Sequence, residues 1–123
     1  MNTLKLGILG STNGTDLQAI LDAITSGELN AKVSVVLSNR ENAYILERAE
    51  NHNVPAVWIP HKEKSRKEFD EEMTEILKNH TVDLVLLIGF MRILSAEFCR
   101  EWRDKLLNVH PSLLPKYAGR SEE

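Results

Sequence analysis

Asn108 and His110 stand two residues apart in Leu106-Leu107-Asn108-Val109-His110-Pro111. On a strand, that spacing sends both side chains to one side. An amide donor beside an imidazole suits acyl chemistry. The amide can stabilise a developing oxyanion, and the imidazole can move a proton near neutral pH. A structural histidine is the alternative. Pro111 and Pro115 stiffen the segment beyond. A second constellation is Gly10-Ser11-Thr12-Asn13-Gly14-Thr15-Asp16, small and polar residues between an apolar run and a helical stripe. Free backbone N–H groups at a helix start, aided by its dipole, suit an anion such as phosphate. The segment does not match G-x-G-x-x-G and lacks the P-loop lysine. The alternative is an ordinary strand-to-helix turn with Thr15 or Asp16 as N-cap. The Asp16 charge opposes an anion unless it caps backbone donors. A third segment, Gly89-Phe90-Met91-Arg92-Ile93-Leu94, puts apolar side chains into a connection. They either line a pocket for a flat ligand, or Met91 and Leu94 simply begin or cover the next helix.

These segments need a frame that brings them together. Lys5-Leu6-Gly7-Ile8-Leu9-Gly10 is an apolar run bounded by turn residues, the pattern of a buried strand. Leu17, Ile20, Leu21 and Ile24 follow at spacings of three and four, a helical stripe that Gly27 can stop. Val33–Leu37 predicts a second strand, and Ala43, Leu46, Ala49 and Glu50 a second helix. Ala56–Ile59 is a short strand between Pro55 and Pro60. From Glu63 to about Asn79, Phe69, Met73, Ile76 and Leu77 mark an amphipathic helix whose charges form a solvated face. Asp83–Gly89 lacks alternation, as expected of a parallel strand buried on both faces. A helix follows Ser95 and a last strand spans Leu106–His110. Strands alternating with helices predict a Rossmann-like, doubly wound, mostly parallel α/β sheet with helices on both faces. In such sheets ligands gather at the carboxyl ends of the strands, where all three segments lie.

The composition agrees with one domain over residues 1–123: 42% of residues are hydrophobic and 27% charged. A net charge of −3 gives no field for nucleic acid. Cys99 is the single cysteine, which excludes an internal disulfide framework and a cysteine-based zinc cluster. It reads as a packed or inert thiol. His52, His61 and His80 read as surface residues without metal-ligand spacing, so no metal is expected. No run approaches the roughly 18 apolar residues of a membrane span. The N-terminus has no leader pattern, and a cytoplasmic location is expected.

Taken together, the segments resemble glycinamide ribonucleotide transformylase, the folate-dependent formyltransferase family of purine biosynthesis. Asn13–Ile20, Leu37–Arg40, Leu46–Ala49 and Ser65–Asp70 are similar to that family. Gly89–Leu94 and Asn108–Pro115 match it almost letter for letter, and the likeness runs from about Lys5 to Gly119. The resemblance implies transfer of a formyl group from 10-formyltetrahydrofolate to the amine of glycinamide ribonucleotide. It implies that the ribonucleotide phosphate meets Asn13, Gly14, Thr15 and Asp16. Asp16 stands where the family more often has Asn. It implies that the folate lies along Met91, Arg92, Ile93 and Leu94, with Arg66 at the edge. Asn108 and His110 would stabilise the tetrahedral intermediate, and His110 would serve the proton transfers. The resemblance also implies a longer chain, with further strands, a long helix and a catalytic aspartate beyond the histidine motif. On that basis the domain is expected to be truncated at its C-terminal side, with an exposed sheet edge that invites self-association. The alternatives are a catalytically impaired nucleotide-phosphate-binding fragment, or a relative of formyltetrahydrofolate deformylase or aminoacyl-tRNA formyltransferase.

Overall fold

The computed structural model describes residues 3–109. Strand and helix alternate throughout: β1 (Leu4–Gly10), α1 (Thr15–Thr25), β2 (Ala31–Ser38), α2 (Tyr44–Asn51), β3 (Ala56–Trp58), α3 (Arg66–Asn79), β4 (Leu84–Ile88), α4 (Ala96–Glu101) and β5 (Leu106–Val109). The five strands form one sheet in the order β3-β2-β1-β4-β5, and every pairing is parallel. The expected doubly wound α/β arrangement is therefore present. His110, Pro111, Pro115 and the tail that follows lie outside the described residues.

The central strands sort their side chains by alternation, which divides the core in two. Leu6 and Ile8 of β1 pack with Leu17, Leu21, Ile45, Leu46 and Ala49, so α1 and α2 cover one face. Leu9 packs with Phe69, Met73, Leu77, Phe98 and Trp102, so α3 and α4 cover the other. The β1–β2 register jumps from Leu6↔Val33 to Gly7↔Val35, leaving the buried Ser34 unmatched as a bulge. Val33 and Val36 consequently reach the same face, which strict alternation would forbid.

Local chemistry sets the helix bounds. The helix predicted from Glu63 begins at Arg66, because Ser65 caps it. The Ser65 hydroxyl accepts from the Glu68 N–H while the Glu68 carboxylate accepts from the Ser65 N–H, a capping box. Several sequence expectations need correction. Thr15 and Asp16 do not cap α1, since the N-cap is Gly14, left-handed at φ 70°. Asp70 does not belong to a solvated face, being only 3% exposed. Cys99 is not packed but exposed. His61 is exposed as expected, whereas His52 and His80 are half-buried. None of the described helices is long and apolar enough to cross a membrane.

Candidate active site

The β1–α1 turn and the β4–α4 loop meet through one residue. The Ser11 N–H donates to the Gly89 carbonyl at 3.1 Å. The Ser11 hydroxyl donates to Asn39 Oδ1 at 2.6 Å and accepts from the Met91 N–H at 2.9 Å. A hydroxyl carries one proton and two lone pairs, so these two bonds use it in both roles. Ser11 and Asn39 are both buried. Three strand ends, those of β1, β2 and β4, are thereby tied at one point.

The turn itself is clamped from α2. Arg48 Nε donates to the Asn13 carbonyl at 2.6 Å, and its Nη1 donates to Gln18 Oε1 at 3.2 Å. The Ile45 N–H donates to the Thr12 carbonyl at 3.1 Å. Gly14 must be glycine here for two reasons. Its φ is positive, and a Cβ would sit 2.4 Å from Ile45 Cγ1. The result is a tight turn with the N-terminus of an eleven-residue helix behind it. Thr15 is exposed and Asp16 buried at its first two helical positions.

The β4–α4 loop presents its side chains alternately. Met91 and Ile93 are 64% and 72% exposed. Arg92 and Leu94 turn inward instead. The Arg92 guanidinium lies 4.3 Å above the Phe69 ring, and Leu94 packs into the α3–α4 core. The loop ends where Asp70 Oδ2 accepts from the Ser95 N–H at 2.6 Å. Met91 and Leu94 therefore do not begin the next helix, whose N-cap is Ser95. Met91 and Ile93 thus stand as two exposed apolar side chains on a loop pinned at both ends.

Asn108 joins this edge through the sheet. It pairs with Leu87, and Leu87 pairs with Leu9, two residues before Ser11. The Asn108 side chain is exposed. Leu106, on the same side of β5, packs toward α3 and α4, the side on which Leu94 lies. Arg66 is exposed at the first position of α3, one helical turn before Phe69. No direct bond ties Arg66 to the loop, so it stands apart from the other site residues. His110 falls outside the described residues. Among the described residues, no group of three or more His, Cys, Asp or Glu side chains could hold a metal.

Four residues that organise the edge, Ser11, Asn39, Arg48 and Asp70, lie in segments the sequence singles out but carry no individual role there. Asp70 left a signal, since Asp70, Met73 and Leu77 are spaced by three and four and so share one helical face. The other three act through side-chain bonds spanning 28 to 80 residues, which no local pattern carries.

The fold and this edge define a class. A family model described as formyl transferase matches residues 4–122. The chain belongs to the formyl transferase family. Among its relatives, the Phosphoribosylglycinamide formyltransferase of Haemophilus influenzae is 43% identical over 116 residues. The Trifunctional purine biosynthetic protein adenosine-3 of Drosophila melanogaster is 46% identical over 118 residues. Each alignment covers 94% of this chain, but 55% of the first relative and 9% of the second. The solved structure of glycinamide ribonucleotide transformylase 1 from Symbiobacterium toebii superposes with a TM-score of 0.84 at 41% identity. That match covers 92% of this chain and 54% of the other. The chain thus spans about half the length of the single-function relatives.

Proposed function

We propose that the chain is a formyltransferase-type α/β domain that transfers a formyl group from 10-formyltetrahydrofolate to the amine of glycinamide ribonucleotide. The observation that carries this reading is the Ser11 junction, which fixes an anion-suited turn beside an exposed apolar loop. One ligand needs a phosphate cradle and the other a surface for a flat ring, and the two must lie within reach of one another. The identities of about 40% with formyltransferases of purine biosynthesis support the same pair of substrates.

In this reading the backbone N–H groups at Gly14, Thr15 and Asp16, with Asn13 alongside, hold the phosphate. Met91 and Ile93 contact the folate ring. Arg92 and Leu94 support the loop from below, and Arg66 borders the site. The bound folate supplies an activated formyl carbon. Asn108 donates an amide N–H to the formyl oxygen as negative charge gathers there. His110 takes the proton from the attacking amine and delivers it to the departing folate nitrogen. The reading needs no metal, nucleic acid or membrane, and it fits a cytoplasmic setting. We further propose that the β5 edge, with Leu107 54% exposed, supports self-association.

The test offers the purified chain 10-formyltetrahydrofolate with three acceptors: glycinamide ribonucleotide, water and charged tRNA. Formyl transfer to the ribonucleotide is expected. Transfer to water or tRNA in its place would overturn the reading, as would absence of transfer to any acceptor.

A further inference from the structure

A cavity of about 790 Å³ opens at the carboxyl ends of β1, β2 and β3, on the opposite side of β1 from the β4 loop. Its size falls within the range of about 300–1,000 Å³ usual for small-molecule sites. Two aromatic rings line it, Tyr44 and Trp58, which stay 42% and 41% exposed. The Arg48 guanidinium lies 4.7 Å over the Tyr44 ring and steadies it. Arg40, His61 and Lys62 also line the cavity, as do the Glu41 carboxylate and the turn residues Ser11, Thr12 and Asn13, so two basic side chains outnumber one acid. Arg40 and Lys62 make no salt bridge among the described residues, so their charge is available to a ligand.

Hydrogen bonds tie the floor of the cavity. Asn39 lines the cavity, and its Oδ1 is held by the buried Ser11 hydroxyl. That bond turns the amide NH2, with its two donors, away from Ser11. Backbone bonds from Ile59 to Ser38 and from Ile45 to Thr12 fix the chain on either side.

We propose that this cavity binds a planar heteroaromatic ring bearing an anionic group, the chemistry of a nucleoside monophosphate. Trp58 and Tyr44 stack the ring, because aromatic faces hold any base without reading its sequence. Arg40, Lys62 and His61 face the anion, and the Asn39 amide offers directional donors. The cavity shares Asn13 with the turn proposed for the ribonucleotide phosphate, so the inference rests in part on that reading; the Trp58 and Arg40 variants, which lie outside that turn, distinguish the two.

Equilibrium dialysis of the chain against adenosine 5′-monophosphate tests it. Saturable binding is expected, with no displacement by an equal concentration of inorganic phosphate. Trp58→Ala and Arg40→Ala should each weaken binding about tenfold. Trp58→Phe, which keeps a ring, should hold binding within about threefold of the parent. These side chains are exposed at the rim, so the variants leave the core untouched. The proposal is overturned by absence of saturable binding or by equal displacement by phosphate. Unchanged affinity in Trp58→Ala and Arg40→Ala, or equal loss in Trp58→Phe and Trp58→Ala, would overturn it too.

Discussion

The carboxyl edge of the sheet is built in two different ways. At β1 and β4 the loops are bound by side chains: Ser11 to Asn39 and Met91, Asp70 to Ser95, Arg92 over Phe69. At β5 no side-chain hydrogen bond ties the described residues; the backbone ladder and the packing of Leu106 and Val109 hold them, and Asn108 and Leu107 are exposed. The contrast separates two tasks. A binding surface gains from being preorganised, because freedom lost beforehand is not lost on binding. In the proposed reading the Asn108 amide must also be placed beforehand to stabilise an oxyanion, and at β5 the strand register is what brings it to that edge.

Substitutions can sharpen the contrast. The largest effect belongs at the packed end. Phe69→Ala removes a fully buried ring and the surface under Arg92, and should cost about 3–5 kcal/mol in denaturant unfolding. A loss below about 1 kcal/mol would mean the ring is not a pillar of that end. Asn108→Ala should behave oppositely. Formyl transfer should fall about 10²–10³-fold, while stability changes by less than about 0.5 kcal/mol. A melting temperature that falls in step with activity would contradict a purely chemical role. Ser11→Ala comes next, leaving Asn39 Oδ1 and the Met91 N–H without their shared partner. It should lower stability by about 1–3 kcal/mol and speed hydrogen exchange at Met91. Exchange at Met91 unaltered by the change would mean the loop is held by something else. Smallest is Leu107→Lys, which should shift stability by less than about 0.5 kcal/mol yet reduce self-association in sedimentation. Identical sedimentation before and after would remove the β5 edge as the contact.

The two regions also differ in how far the sequence revealed them. The five strands and four helices of the described residues follow from apolar patterning, because a sheet covered on both faces leaves unbroken apolar strands such as Leu84–Ile88. The Ser65–Glu68 capping box is local but leaves no mark on apolar periodicity, so α3 begins at Arg66 and not at Glu63. The turn, the loop and Asn108 were legible because unusual residue types follow strands directly. What holds them was not. Ser11 looks like any small turn residue until Met91, 80 positions later, folds against it. The bulge at Ser34 was equally hidden, since Val33–Leu37 is consistent with an unbroken strand.

The strand order also bears on synthesis. β1 lies between β2 and β4, so one side of it is matched early and the other late. Leu6 pairs with Leu84, which leaves the ribosome roughly 4 to 16 s after it at about 5–20 residues per second. During that interval β1 has one open flank beside its pairing with β2. That flank offers unpaired backbone groups to any other strand until β4 closes it.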